Sequence, residues 1–217
     1  MKHGTALVVA AALLVQAAGS AGVAYAAEPP AKAGNGPQTN TTATAILTNR
    51  PANWAQPLKV EGVPNLHKIT DGLYRSAQPT ARGMENLKAM GIRTVVNLRS
   101  SHTDRDEIGK TALRREHINM TAWSPEVEDA VSFLKIVTNT NSTPVLFHCR
   151  HGADRTGAMC AVYRIAVQGW TKEDAVQEMT GGGFGFHRIW TNLPKWITEL
   201  DMEKIRKNAG IGEPGKP

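Results

Sequence analysis

Short apolar runs alternate with amphipathic segments along most of the chain, and this alternation predicts an α/β fold. Two apolar runs, Thr94–Leu98 and Val145–Phe147, are predicted to be buried strands. Leu66–Ile69 and Leu73–Arg75 flank an Asp71-Gly72 turn and are predicted to pair as a β-hairpin. We therefore expect one domain with a central, mainly parallel sheet flanked by helices.

The helices are predicted from capping residues, first-turn acids and apolar residues that recur at helical spacing. The expected helices are Thr80 to Met90, Asp106 to Arg115, one opened by Pro125, Thr156 to Gln168, one capped by Thr171, and Trp190 to about Lys207. Gly91 and Gly169 directly follow two of them, as expected of residues that end a helix.

The amino-terminal residues have the pattern of a signal peptide. Lys2 and His3 precede an almost wholly apolar run from Thr5 to Ala18, in which Gln16 is the polar exception. Residues 24–26, Ala-Tyr-Ala, then form a small-x-small cleavage site. Residues 1–26 are therefore predicted to be removed, which leaves a periplasmic or secreted protein with no stable membrane anchor.

Composition divides the rest of the chain into three parts. Residues 27–56 are rich in Ala, Thr, Asn, Gly and Pro without an apolar period, so they are predicted to be a flexible spacer. Residues 57–208 carry the strands and helices and are expected to form a single domain. Residues 209–217 are expected to be a flexible tail.

Charge and cysteine usage narrow the function. The net charge of +6 suits an anionic substrate, but the sequence has no dense Lys/Arg block or aromatic-interleaved basic stripe, so no nucleic-acid partner is expected. An exported protein stabilised by disulfides usually has more than the two cysteines present here, Cys149 and Cys160. One of them is therefore a candidate for a chemical role, and Cys160, within an apolar helix, is expected to be a core residue.

The most informative segment is 148–157, which reads His-Cys-Arg-His-Gly-Ala-Asp-Arg-Thr-Gly. It lies between a predicted strand and a predicted helix, at the carboxyl end of the strand, where ligands bind in open α/β sheets. A tight loop at this place directs backbone N–H groups to one point, and the next helix adds its positive amino terminus. The segment therefore predicts an anion-binding loop.

Three side chains of this segment suit phosphoryl transfer. Cys149 is the candidate nucleophile, because cations and helix amino termini favour the reactive thiolate. Arg155 can bind two phosphate oxygens with its planar guanidinium group. Thr156 is predicted to donate a hydrogen bond to the sulfur and help it leave.

The other loop residues have supporting roles in this hypothesis. Gly152 allows the tight turn, and His148 is expected to orient the loop through a hydrogen bond. The residues expected to bind the substrate phosphate along the loop are Arg150, His151, Gly152, Ala153 and Asp154.

The segment resembles the Cys-x5-Arg-Ser/Thr motif of the protein tyrosine phosphatase superfamily, in its small dual-specificity branch. Leu73–Pro79, Thr94–Arg99 and Tyr163–Trp170 also resemble bacterial members, in particular periplasmic tyrosine phosphatases of the biofilm-control type. The similarity extends over roughly Leu58 to Leu200. It implies a phosphatase without a cofactor and places Arg75 beside the phosphate.

The general acid departs from the family pattern. Members of the family have an Asp upstream of the Cys that protonates the leaving oxygen, but Trp123 or Ser124 occupies the matching position here. Glu126 is the first substitute. The other candidates are Glu128, Asp129 and Asp154, of which the first two equally suit a helix dipole.

These residues predict hydrolysis of phosphotyrosine in a phosphorylated protein, with phosphoserine and phosphothreonine as further substrates. A weak acid favours phosphotyrosine, because the phenol leaving group has a pKa of about 10. An alternative is an exported pseudophosphatase that binds phosphorylated ligands without turnover. A thiol redox protein that uses Cys149 and Cys160 is a third hypothesis. No metal is expected, because the sequence has no His/Asp cluster with ligand spacing.

Overall fold

The computed structural model describes Met1, residues 44–45 and residues 50–214. Residues 39–217 form one compact unit, and residues 1–38 form another, of which only Met1 is described. The predicted signal peptide and most of the predicted spacer therefore lie outside the described residues. Among the described residues, no helix is both long and apolar enough to cross a membrane.

The described residues form a seven-stranded sheet in the order β1-β2-β3-β4-β7-β5-β6. Strands β4, β7, β5 and β6 pair in parallel, whereas β1 to β4 pair antiparallel. This confirms the predicted hairpin and the parallel centre. The strands are Thr44–Ala45 (β1), Gln56–Lys59 (β2), His67–Thr70 (β3), Leu73–Ser76 (β4), Thr94–Asn97 (β5), Arg114–His117 (β6) and Val145–His148 (β7).

Helices cover both faces of the sheet. The predicted caps at Thr80 and Thr171 are confirmed, since their hydroxyls accept hydrogen bonds from Gly83 N and Asp174 N. The helices are Ala81–Ala89 (α1), Arg105–Ile108 (α2), Val127–Val137 (α3), Asp154–Ala166 (α4), Lys172–Gly181 (α5), Asn192–Glu199 (α6) and Met202–Ala209 (α7).

The register of the parallel strands positions the functional edge of the sheet. His148, the last residue of β7, pairs with Ser76 of β4 and with Asn97 of β5. Both β5 and β7 are buried along their whole length, because helices pack on both faces. The chain therefore leaves three neighbouring strands at the same edge of the sheet.

Two apolar clusters hold the sheet between its helices. On one face Phe133 of α3 packs edge-on against Phe147 of β7, with ring centroids 4.8 Å apart. On the other face Met84 and Leu87 of α1 belong to a cluster with Val95. Since strand residues alternate between these clusters, β5 and β7 contribute side chains to both.

Two predicted helices differ in the structure. The expected helix over Asp106–Arg115 is only the four-residue α2, and Arg114–His117 is the edge strand β6. Its charged, mostly exposed side chains give no apolar alternation, as is common for edge strands. The expected final helix is divided at Leu200, because the Asp201 carboxylate accepts a hydrogen bond from Lys204 N and begins α7.

The domain also extends beyond its predicted limits. Strand β2 begins at Gln56, and Ala55 N donates to Glu178 Oε1 at 2.6 Å, so the end of the predicted spacer belongs to the folded domain. At the other end, Ile211 packs against the larger apolar cluster. The predicted tail therefore begins too early.

Candidate active site

The phosphate loop, residues 149–155, connects the central strand β7 to the buried helix α4. Cys149 follows the strand directly, and its side chain belongs to the larger apolar cluster. Helix α4 begins at Asp154, so its unpaired backbone N–H groups lie at the end of the loop. This arrangement places a thiol next to the positive end of a helix dipole, as the anion-binding hypothesis requires.

The loop is fixed by close backbone contacts at Gly152. Its φ of +69° favours glycine, and a Cβ atom there would lie 2.5 Å from Ala77 N. The carbonyl oxygen of Gly152 accepts a hydrogen bond from Arg75 Nη2 at 2.7 Å. Gln78 N donates to the Arg150 carbonyl oxygen at 3.3 Å. The turn after β4 therefore holds the loop from one side.

Arg75 supports the loop from behind and does not bind substrate. The side chain is 0% exposed, and its guanidinium carbon lies 3.7 Å from the centroid of the Phe184 ring. Because β4 is an interior strand, Arg75 extends into the protein beneath Gly152, away from solvent. The expectation of direct phosphate binding by Arg75 is wrong.

A cavity of about 250 Å³ opens beside the phosphate loop. Arg155 projects into it, and Nη1 donates to the Leu98 and Met120 carbonyl oxygens at 3.4 Å each. Three guanidinium groups therefore converge on a small volume, which suits a phosphate dianion. The lining residues are Arg99, Ser100, Ser101, Thr121, Ala122, Trp123, Arg150, Arg155 and Trp190.

Arg99 was not predicted as a site residue. Burial lowers its pKa, and the positive charges of Arg155 and Arg150 lower it further. Its place was available from the sequence, because it follows the buried strand β5 at the edge where β7 delivers Cys149. An anion in the cavity would relieve the repulsion among these three cations.

Thr156 is buried in the first turn of α4. Its hydroxyl oxygen has no hydrogen-bond partner among the residues that the structure describes. The predicted hydrogen bond to the Cys149 sulfur is therefore not formed here. A buried hydroxyl without a partner is unusual, and it leaves the donor available for a new contact at the loop.

His148 is held by a buried carboxylate that sequence reasoning missed. His148 Nε2 lies 2.8 Å from Asp104 Oδ2, and the other Asp104 oxygen accepts from Asn97 and Gln78 side-chain amides at 3.0 and 2.9 Å. Burial alone would raise the pKa of Asp104, but the hydrogen bond and charge of His148 outweigh it, and the pKa is lowered. Ionised Asp104 therefore fixes His148, whose backbone leads directly into Cys149.

The structure does not bring the expected general acid to the cavity. Glu126 is exposed at the start of α3, where its backbone N–H donates to Asp129 Oδ2 at 3.0 Å. Burial raises the pKa of Asp129, and Glu128 is exposed on the same helix. In the described part of the chain, no carboxyl group lines the cavity.

Asp154, the remaining acid candidate, is engaged on the far side of the loop. Its two carboxylate oxygens lie 3.1 and 2.9 Å from His187 Nδ1. His151 is exposed, with its ring centroid 5.0 Å from that of His187, and burial, His187 and Arg150 lower its pKa. Ala153 is fully buried and offers only its backbone. His151 and Asp154 do not line the cavity as expected.

These residues also correct the expectation that no His/Asp cluster exists. His151, Asp154 and His187 each offer a ligand atom, and all three atoms lie within 4.8 Å of one another. His187 is 33 positions from Asp154, so no local spacing in the sequence indicated the cluster.

Two tryptophans border the cavity opposite the phosphate loop. Trp123 is 75% exposed, and its ring meets that of Trp190 edge-on with centroids 4.4 Å apart. Asn192 Nδ2 holds their loop by donating to the Ala122 and Trp123 carbonyl oxygens at 2.7 and 3.1 Å. Trp190, expected only in the core, therefore packs on the core and also lines the cavity.

Residues 52–191 match the family described as DSP-PTPase phosphatase fused to NAD+ kinase. The chain belongs to this phosphatase family. It is 34% identical to the dual specificity protein phosphatase TpbA of Pseudomonas aeruginosa over 174 residues, which are 79% of this chain and 77% of the relative. The resemblance stated from the motif is thereby confirmed, and the protein is a phosphatase.

Solved structures agree with this assignment. A crystal structure of P. aeruginosa TpbA in complex with pTyr matches with a TM-score of 0.65 and 32% identity, over 75% of this chain and 99% of that chain. The catalytic core of the PP-IP phosphatase SIW14 from S. cerevisiae matches with a TM-score of 0.62 over 70% of this chain and 94% of that chain. At 20% identity, the second likeness shows the fold alone.

Cys160 lies in the core, as expected. It is 2% exposed within α4, and burial together with the charge of Glu178 raises its pKa. Both cysteines are free thiols in the structure. An inert, protonated thiol at this position is a packing residue rather than a redox partner.

Proposed function

We propose that this chain is an exported, cysteine-dependent phosphatase that hydrolyses phosphotyrosine in proteins through a phosphocysteine on Cys149. The observation that carries the proposal is the cavity beside the phosphate loop, where three arginines converge next to two tryptophans. The arginines suit a phosphate dianion, and the aromatic rings suit the phenyl group to which that phosphate is attached.

The first step is attack of the Cys149 thiolate on phosphorus. The P–S bond forms while the P–O bond to the tyrosine oxygen breaks, and the phenolate takes a proton from solvent. Arg155 binds two non-bridging oxygens, and the loop N–H groups bind the charge that develops on them. Because these donors are already in place, little reorganisation is needed during the reaction.

The second step is attack of water on the phosphocysteine. The new P–O bond forms, the P–S bond breaks, and phosphate leaves with the loop restored to its thiolate form. The buried hydroxyl of Thr156 is the group that can donate to the departing sulfur, since no other described group occupies it. His148 and Asp104 keep the loop in register throughout.

The leaving group supports phosphotyrosine over phosphoserine. No carboxyl group lines the cavity in the described residues, so the protein has no evident proton donor for a poor leaving group. A general acid contributes about 10²–10⁴-fold, and a phenol with a pKa of about 10 needs it least. TpbA, the relative with a pTyr complex, makes the same substrate class the first to test.

Hydrolysis of p-nitrophenyl phosphate without added metal tests the mechanism. We expect Cys149→Ser to abolish turnover, because the serine hydroxyl is not ionised at neutral pH. Cys160→Ala is the matched control, since it removes the other thiol, and it should retain activity. Equal loss in both variants, or activity in Cys149→Ser, would overturn the cysteine mechanism.

The aromatic border of the cavity is tested with phosphotyrosine and phosphoserine peptides of the same sequence. Trp123→Ala should raise KM for the phosphotyrosine peptide about 2- to 10-fold, the value of one aromatic contact. Ile189→Ala removes an apolar side chain that is 74% exposed, close to the 75% of Trp123, and should change nothing. Faster turnover of the phosphoserine peptide would contradict the substrate assignment.

Export rests on the sequence of residues 1–26. The full chain, expressed in a Gram-negative host, should appear in the periplasmic fraction with a new amino terminus after Ala26. Full-length protein retained in the cytoplasm would contradict export without affecting the phosphatase mechanism.

A further inference from the structure

A cluster of three metal-ligand side chains lies on the outer side of the phosphate loop. His151 belongs to the loop, Asp154 is the first residue of α4, and His187 lies in the segment between α5 and α6. One ligand atom from each lies within 4.8 Å of the other two. Folding therefore joins two distant parts of the chain at a His-Asp-His triad.

The carboxylate of Asp154 is the fixed member of the triad. Its side chain is 9% exposed, and Oδ1 accepts a hydrogen bond from the backbone N–H of His187 at 3.0 Å. The same contact fixes the main chain of His187 beside the loop. His187 Nδ1 lies 2.9 Å from Asp154 Oδ2, so the imidazole already packs against the carboxylate.

The two histidines are the mobile members. The His187 side chain is 47% exposed, His151 is exposed, and their rings lie 5.0 Å apart at 55°. Ligands of a tetrahedral ion with bonds of about 2.1 Å lie about 3.4 Å apart. Rotation of the exposed rings can close the widest separation in the cluster, and the solvent side leaves room for an ion and a water ligand.

We propose that His151, Asp154 and His187 bind a divalent transition-metal ion, with Zn²⁺ as the chemical class. Two imidazoles and one carboxylate suit Zn²⁺, whereas Mg²⁺ and Ca²⁺ prefer oxygen ligands alone. A bound ion would connect the phosphate loop to the segment that carries Trp190 of the cavity. The exposed face makes the site reversible, with solvent as the remaining ligand.

The charges around the triad also describe a reversible site. Arg150 and Arg155 lie close enough to lower the pKa of His151, so they oppose a dication nearby. The same effect keeps the imidazole neutral, which is the form that binds metal. The Asp154 carboxylate offsets part of the repulsion.

A second group of potential ligands provides the matched control. His102, Asp104 and Glu107 also lie within 4.8 Å of one another. Asp104 is 0% exposed, however, and hydrogen bonds from His148, Asn97 and Gln78 already occupy its oxygens. Replacing His102 therefore removes a histidine from a group that should not bind metal.

The test is calorimetric titration of ZnCl₂ into the full, tag-free chain carrying Cys149→Ser, which removes the competing thiolate. We expect one bound ion per chain. Adding His187→Gln, which keeps an amide donor for Asp154, should weaken binding at least 10- to 100-fold, and so should His151→Gln. Adding His102→Gln should leave the affinity unchanged.

A second readout identifies the ligands directly. Co²⁺ in place of Zn²⁺ should give a visible ligand-field band that disappears in the His187→Gln and His151→Gln proteins. Thermal unfolding in the absence of metal checks that each variant is folded, and if one is not, the other decides. No stoichiometric binding, or binding that survives both substitutions, would overturn the proposal. Either result leaves the phosphatase mechanism intact, because the titration uses a protein without its nucleophile.

Discussion

The two sides of the cavity are built differently. The phosphate loop is fixed by a positive-φ glycine, by Arg75 behind it and by the His148–Asp104 contact at its base. The loop at 121–125 is held mainly through Asn192 and leaves Trp123 75% exposed. Anion binding is therefore preorganised, whereas the opposite side contributes an aromatic surface and no proton donor among the described residues.

This difference indicates where the catalytic energy comes from. Fixed donors around a phosphate stabilise the transition state without reorganisation, which is usually the largest single catalytic effect. An exposed tryptophan can select a substrate but cannot protonate its leaving group. We expect substitutions on the phosphate-loop side to cost much more activity than those on the opposite side.

Arg155→Lys should give the largest loss among the variants that keep the nucleophile. Lysine keeps the charge but lacks the planar pair of donors, so kcat/KM for p-nitrophenyl phosphate should fall about 10²–10³-fold. Arg93→Lys, the same change at an exposed position, is the control and should have no effect. A similar activity of both variants would mean that the fork geometry of Arg155 is dispensable.

Gly152→Ala tests whether the loop is held as tightly as its contacts indicate. The new Cβ would lie 2.5 Å from Ala77 N at a φ of +69°, so the free energy of unfolding should fall by about 3 kcal/mol. Gly91→Ala has a φ of +90° but meets nothing within 4 Å, so it isolates the cost of the backbone conformation alone. Urea unfolding of the two variants should differ clearly. Equal destabilisation would show that the loop can move to accept the methyl group.

His67 tests the layer behind the phosphate loop by pH. It packs edge-on against Phe184, the ring that contacts Arg75, and burial lowers its pKa from 6.5 to about 4. The unfolded chain therefore binds a proton first as pH falls. Stability is full above pH 6.5 and falls between pH 6.5 and 4 by about 3 kcal/mol. His67→Gln should flatten this part of the urea-unfolding profile; an unchanged profile would assign the slope to other groups.

Glu126→Gln should have the smallest effect. The side chain is exposed at the start of α3 and does not line the cavity, so kcat for a phosphotyrosine peptide should stay within about 2-fold. A loss of 10²-fold or more, with its basic pH limb removed, would restore Glu126 as the general acid. That result would make the two sides of the cavity chemically equivalent partners.

The sequence was sufficient wherever neighbouring residues determine the structure. The β7–loop–α4 segment, the β3–β4 hairpin and the caps at Thr80 and Thr171 all follow from local patterns. Strand β6 did not, because an edge strand with charged, exposed residues gives no apolar alternation. The division between α6 and α7 depends on the Asp201 cap, whose signal was outweighed by the apolar period around it.

The site residues that were missed depend on distant partners. Asp104 reaches His148 across 44 positions, and His187 reaches Asp154 across 33. Arg75 was expected at the phosphate, yet its position on an interior strand directs it beneath Gly152. Residue type and spacing could identify the nucleophile and its loop, but not which side chains fold against them.

The most direct test of the account is the covalent intermediate itself. The native chain would be mixed with ³²P-labelled phosphotyrosine peptide, quenched in acid within the first turnover, and mapped by peptide mass spectrometry. The account predicts one phosphoryl group on Cys149 and none in the Cys149→Ser protein. Turnover without a labelled protein, or label on a residue other than Cys149, would contradict it.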